Sequence, residues 1–170
     1  MKEFQAKRLV CCYEENIKTS RDNIFRLTCP VAELKWIENW KDMHTLIYTE
    51  SGVNENNCIF IEYKMLGQIL FDEPVKATWV TTLHDAETGK IQFLIILEDR
   101  GVIKFDIDGK EHENGTITAI WHFTYTSLSE KGNAIPDKTF KERMLAVQKE
   151  LAQMLKYYCE TGKMLRMDKA

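Results

Sequence analysis

No stretch of this sequence approaches the roughly 20 apolar residues of a membrane-spanning helix, which excludes such a span. No repeat, low-complexity tract or Pro/Gly/Ser-rich linker interrupts it either. Its 170 residues are therefore read as one domain over 1–170, large enough to bury a core without disulfides or metals. Charge of one sign is lacking too: the formal net charge is -3 and the basic residues are scattered, so a nucleic-acid or anionic-lipid partner is disfavoured. The opening residues, MKEFQAKRLVCCYEEN, alternate polar and apolar and lack the apolar core of a signal peptide, giving the expectation of a cytoplasmic protein.

The five cysteines are an odd number that suits a reducing compartment. With the four histidines they form no C-x-x-C or H-x-x-x-H spacing, so no metal is expected. Cys11 and Cys12 alternate faces in a strand and make no ligand pair, and Cys29, Cys58 and Cys159 read as buried small hydrophobes. There is no phosphate-cradling glycine motif. The Asn114-Gly115-Thr116 sequon is explained by a hairpin turn.

What is present is a 44% hydrophobic, 29% charged composition, ordinary for a globular chain. A first strand is expected over about Phe4 to Tyr13. In "CPVAELKWIENW", Pro30 near a helix start and Glu33 in the first turn favour a helix through about Ile37, with Trp40 on its last turn or on a second short helix. Trp36 and Trp40 then share one helical face. "HTLIYTESG" and "NCIFIEYKML" read as two further strands.

Three hairpins follow. Pairing "KATWVTTL" with "KIQFLIIL" sets Leu83 against Ile91, Thr81 against Phe93 and Trp79 against Ile95. A loop Asp99-Arg100-Gly101, with Gly left-handed, sets Leu97 against Ile103 and Ile95 against Phe105. For the last hairpin a three-residue Glu113-Asn114-Gly115 loop is chosen over a two-residue turn, because it puts Trp121 and Phe123 on the face of Phe105 and Ile107. The inner face is then Trp79, Leu83, Phe93, Ile95, Ile103, Phe105, Ile107, Ala119, Trp121, Phe123 and Tyr125. The outer face, including Thr78, Gln92, Lys104, Asp106 and His122, is polar.

A long helix closes the chain, from Asp137 as N-cap to a stop at Gly162, with an apolar stripe of Phe140, Met144, Val147, Leu151, Met154 and Tyr158. The order of elements indicates an α+β fold with helices on one side of an antiparallel sheet. Seven strands are roughly 33 Å wide, whereas one helix covers only about 10 to 12 Å, so the sheet must curl and a hollow is expected beside the helix.

The element order, the W-x-x-x-W region at Trp36 and Trp40, "YTESGV" at 48–53 and "WHFTYTSLSEKG" before the last helix resemble the START-related SRPBCC superfamily, an uncharacterised bacterial branch of it. The resemblance implies a helix-grip fold: a curved antiparallel sheet of about seven strands around a long C-terminal helix, with two short helices after the first strand. It also implies an internal pocket for a lipid, polyketide, steroid or other apolar molecule. Carriers, polyketide cyclases and dehydrases, and a co-chaperone-related branch share that fold, which does not choose among them.

The expected function is binding of a hydrophobic small molecule without a cofactor, with a homodimer left open. The alternatives are a cyclase or dehydrase using the same cavity, or an interaction module. Trp36, Trp40, Tyr48, Tyr63, Trp79, Phe93, Phe105, Trp121, Phe123, Tyr125, Met144, Gln148 and Leu151 are the candidate ligand contacts. Each alone is explained by core packing; the set suggests a pocket. No catalytic residue is assigned. An enzyme would draw on Tyr125, Glu50 or His122, but the register turns His122 outward and Glu50 falls at a strand end, while His44, His84 and His112 fall at strand ends or in loops.

Overall fold

The computed structural model describes residues 3–43 and 46–166; His44 lies outside them. Seven antiparallel strands form one curved sheet: β1 (Arg8–Ile17), β2 (Leu46–Tyr48), β3 (Ile59–Glu62), β4 (Ala77–Asp85), β5 (Lys90–Leu97), β6 (Gly101–Glu111) and β7 (Ile117–Ser127). Their spatial order is β1-β7-β6-β5-β4-β3-β2, so the first strand closes against the last. The helices are α1 (Arg21–Leu27), α2 (Pro30–Glu33), α3 (Met65–Phe71), α4 (Glu130–Asn133) and α5 (Asp137–Thr161), with a 3-10 turn over Trp40–Met43. The α+β fold and the long last helix are as expected.

The last hairpin has the chosen register, with Ile107 opposite Trp121 and Phe105 opposite Phe123. Alternation along β7 buries Trp121, Phe123 and Tyr125 and turns His122 outward, where its Nδ1 lies 3.9 Å from an Asp106 carboxylate oxygen. On α5, Phe140, Met144, Val147, Leu151 and Met154 are buried and Tyr158 packs against the same core. Gly162 ends the helix at φ 68°, in the left-handed conformation expected of a C-terminal glycine.

Several local expectations are corrected. β1 runs four residues later than expected, and Pro136 rather than Asp137 is the N-cap of α5. The helix starting at Pro30 stops at Glu33, and Asn39 turns left-handed at φ 61° before Trp40. Trp36 and Trp40 therefore do not share a continuous helix; each indole is anchored separately, Trp36 Nε1 donating to Leu27 O (3.0 Å) and Trp40 Nε1 to Pro30 O (2.9 Å). In the β4–β5 hairpin the expected pairs hold at Trp79 and Thr81, then a bulge between Thr81 and Leu83 sets Leu83 opposite Gln92 and His84 opposite Ile91. Leu83 is thereby turned out of the core at 37% exposure, and His84 stacks on Phe25 with ring centroids 4.1 Å apart.

Between β5 and β6, Leu97 pairs with Gly101 and Ile95 with Ile103, so the loop is Glu98-Asp99-Arg100 and Asp99, at φ 57°, is its left-handed residue. Gly101 serves a different need: a Cβ there would sit 2.4 Å from Thr126 O. The "NCIFIEYKML" strand ends at Glu62, after which α3 begins. The buried Glu62 carboxylate caps α3, accepting from the backbone N–H groups of Lys64 (2.6 Å), Met65 and Leu66 (3.1 Å).

Candidate functional site

The helical cover over one end of the sheet is built from the segment that follows β1. Ser20 caps α1, its hydroxyl accepting from Asn23 N–H (3.2 Å). The link between α1 and α2 is held by a buried polar knot. Asn54 donates from Nδ2 to Thr28 O (3.4 Å) and from its backbone to Cys29 Sγ (3.1 Å), while its Oδ1 accepts from the buried Thr81 hydroxyl (2.8 Å). α2 rises from that knot, and its last residue, Glu33, carries a carbonyl that accepts from the backbone N–H groups of Trp36 (3.1 Å) and Ile37 (2.8 Å).

Beneath this cover lie two adjoining voids. The inner one, about 20 Å³, is walled by Thr28, Glu33, Trp36, Ile37, Trp40, Met65, Trp79, Phe93, Phe105, Ile107, Trp121 and Leu151. All four tryptophans of the chain border it. The outer one, about 170 Å³, lies among Ile37, Glu38, Asn39, Met43, Met65, Ile69, Val147, Glu150, Leu151 and Met154. Ile37, Met65 and Leu151 belong to both walls. An enclosed apolar space of about 150 Å³ is known to hold a benzene molecule, which sets the scale of a guest.

Glu33 is the chemical centre of the inner void. Glu33 is half-buried, and desolvation alone pushes its pKa from 4.5 up to about 8. No hydrogen-bond or ion-pair partner of this carboxyl is found among the described residues. Among the described residues, three buried polar atoms nearby have no hydrogen-bond partner: Trp79 Nε1, Trp121 Nε1 and Gln148 Oε1. A carboxyl near neutrality inside an aromatic wall can hold or give up a proton at physiological pH.

The expected contact residues divide into two groups. Trp36, Trp40, Trp79, Phe93, Phe105, Trp121 and Leu151 are brought together around the inner void. Gln148 is fully buried one turn before Leu151, donating from Nε2 to Trp121 O (2.8 Å). Phe123 packs edge-on to Phe105 at 4.3 Å, and Met144 is buried, but neither borders a void. Tyr125 is at the far end of the interface, donating its hydroxyl to Gly132 O (3.0 Å), with burial pushing its pKa up to about 12. Tyr48 and Tyr63 stand in solvent, Tyr48 at 67% exposure, because Tyr48 pairs with exposed Ile59 on the outer face of the edge strand β2 and Tyr63 follows the end of β3 at Glu62.

The three groups weighed for acid–base chemistry are thus elsewhere: His122 faces out, Glu50 is exposed, and the Tyr125 hydroxyl is engaged. Glu33 was read only as a helix-start signal. Its position is three residues before Trp36, four before Ile37 and seven before Trp40, which on a helix is the apolar face, and an acid on that face was the available clue. All five cysteines are free, and among the described residues no three His, Cys, Asp or Glu side chains converge as a metal site. No helix among them is long and apolar enough to cross a membrane.

No family model and no curated protein matches the sequence. Solved structures do match in three dimensions. A START superfamily protein from Mycobacterium smegmatis superposes with a TM-score of 0.62 at 7% identity, covering 91% of this chain and 99% of that one. The fold is the START-like helix grip. The same helix-grip framework is found in the Zhui aromatase/cyclase from Streptomyces, with a TM-score of 0.59 at 9% identity over 94% of this chain and all of the other. It recurs in norcoclaurine synthase from Thalictrum flavum, solved with dopamine and hydroxybenzaldehyde, with a TM-score of 0.60 at 12% identity over 88% of this chain and 87% of that one.

Proposed function

We propose that the chain works as a single helix-grip domain that binds a small apolar molecule between the sheet and α5, under the cover formed by residues 28–43. The observation that carries this reading is the pair of adjoining voids, whose walls are mainly tryptophan, phenylalanine, methionine and leucine side chains. Their volume suits a single ring or a short acyl chain rather than a steroid. Met43, Met65 and Met154 on the outer wall are unbranched side chains that can adapt to a guest of irregular outline. A retained molecule identified by mass spectrometry after native purification, and missing from L151W, in which the larger ring fills both voids, is the expected result. No retained mass together with no saturable change in tryptophan fluorescence on adding indole would overturn it.

Glu33 favours a second reading, acid–base catalysis of the cyclase or dehydrase kind, in line with the name of one fold neighbour, the aromatase/cyclase. A carboxyl poised near pH 8 would take a proton from carbon next to a carbonyl and return it. That reading expects the protein to speed exchange of the α-hydrogens of phenylacetaldehyde into heavy water, followed by NMR, and E33Q to remove the acceleration. Exchange at the buffer rate with the unaltered protein would rule this chemistry out for the probe's class and leave binding as the function.

A further inference from the structure

We infer that the chain carries a second small-molecule site, on the outer side of the cover, that takes an aromatic carboxylate of one or two rings. It shares no lining residue with the two voids beneath the cover and stands apart from the binding reading above. The space is a pocket of about 450 Å³ bounded by α1, α2, the loop carrying Val53 and Asn54, and the end of β4. That volume falls within the roughly 300–1,000 Å³ of small-molecule sites. α2 divides the two regions: Val31 and Ala32 border this pocket, and Glu33 borders the inner void.

The lining is mostly carbon. Phe25, Cys29 and Asn54 are its buried members, and Val31 and Val53 are exposed at the rim. The Asn54 amide is tied to the fold, its Nδ2 donating to Thr28 O (3.4 Å) and its Oδ1 accepting from Thr81 Oγ1 (2.8 Å). The bulge after Thr81 brings His84 onto Phe25, with ring centroids 4.1 Å apart and planes 27° from parallel, and both rings line the pocket. A guest ring therefore has aromatic carbon to pack against. Burial lowers the His84 pKa against the pull of Glu55, so at pH 7 its imidazole is neutral. Among the described residues only its backbone N–H is bonded, to Asn56 Oδ1 (2.7 Å), which leaves the ring one N–H to donate.

The charges at the pocket are of one sign. Arg26 and Lys35 line it, and among the described residues no Asp or Glu side chain does. Lys35 forms no ion pair among them, whereas Arg26 is paired with Asp22 at 2.9 Å on the exposed side of α1. A guanidinium has several N–H donors in a fork, so that pair leaves donors for a second carboxylate. Glu55 acts on His84, but its own carboxylate is held by the Thr49 hydroxyl (2.7 Å) and the backbone N–H groups of Glu50 (2.6 Å) and Ser51 (3.1 Å). An aromatic body with a carboxylate head matches the pocket in both its parts, the ring against Phe25, His84 and the valines, the head toward Arg26 and Lys35. A cationic head would meet two like charges.

The test uses 2-naphthoate and its neutral isostere 2-naphthamide, titrated at pH 7 and low salt by calorimetry, with the guest located by NMR. Because both cations are exposed, the preference is modest: the acid is expected to bind about fivefold more tightly than the amide, with the difference shrinking as salt is added. In a variant carrying both Arg26→Gln and Lys35→Gln, with unchanged circular dichroism, the ratio is expected to fall to near one. Nuclear Overhauser contacts from the naphthyl protons are expected to the Val31 and Val53 methyls. Equal binding of acid and amide by the unaltered protein, or a ratio that survives the double variant, overturns the charge assignment. Contacts to the Leu151 and Met65 methyls instead place the guest beneath the cover, which overturns this site while supporting the binding reading above. No saturable binding of 2-naphthoate overturns the proposal outright.

Discussion

The interface between sheet and α5 is two different materials at its two ends. Around Tyr125 it is closed: the ring stacks on Phe140 at 4.3 Å, Phe140 meets Phe71 edge-on at 5.6 Å, and the phenol hydroxyl donates to Gly132 O. None of those rings borders either void. Around Trp36, Trp40 and Leu151 the same helix and sheet leave space, and among the described residues three buried polar atoms there, Trp79 Nε1, Trp121 Nε1 and Gln148 Oε1, have no hydrogen-bond partner. The contrast teaches where the molecule is packed shut and where it leaves room for the proposed site. One end spends its side chains on one another, and the other leaves chemistry available.

The largest expected effect is at the closed end. Phe140→Ala removes a fully buried ring and should cost about 3–5 kcal/mol in urea unfolding, with loss of cooperativity showing as a broadened transition. A cost under about 1 kcal/mol would mean the packing there is as loose as at the other end. Next comes E33Q, and its sign depends on pH. Below about 4.5 both folded and unfolded Glu33 hold the proton and nothing distinguishes the states. Between there and about 8 the unfolded chain releases its proton while the folded chain keeps it, so stability is lost as pH rises. The glutamine variant escapes that loss, so its melting temperature should match the parent at pH 4.5 and exceed it increasingly up to pH 8, at about 1.4 kcal/mol per pH unit at most. A constant offset across that range would contradict a buried, unpaired acid.

Leu151→Ala, at the open end, should cost only about 2 kcal/mol, the low side of the usual range, because one flank of the side chain already faces a void. Equal losses at Phe140 and Leu151 would erase the distinction between the two ends. The smallest effects are expected from Glu50→Gln and His122→Ala. Both side chains lie outside the interface, and each change should leave unfolding free energy within about 0.5 kcal/mol of the parent.

How far the sequence could be read follows from what each pattern is sensitive to. The β6–β7 register was decided by parity, since a one-residue slip would have turned Trp121 and Phe123 out. The β5–β6 loop was misplaced because a shift of two residues preserves every face, so alternation cannot detect it; only the left-handed Asp99 and the close approach at Gly101 do. The bulge after Thr81 was hidden by Leu83, an apolar residue that fits the inner pattern and yet is turned outward. α3 was missed because its cap is not a local Ser, Thr, Asp or Asn but a buried carboxylate in the strand before it. The ring of tryptophans was legible as a set. Glu33 was visible but read only as a helix-start signal, since the packing that sets it against the inner void is a tertiary feature.

The left-handed Asn39 has a consequence for how such a protein can be recut. Because α2 ends at Glu33 and the chain turns left-handed at Asn39, the roof over the hollow is pinned by two indole-to-carbonyl stitches, to Leu27 and Pro30, instead of by a continuous rod. A roof fastened at points can be reshaped residue by residue without moving the seven-stranded frame, so the space beneath it can be redrawn while the rest of the chain is left alone.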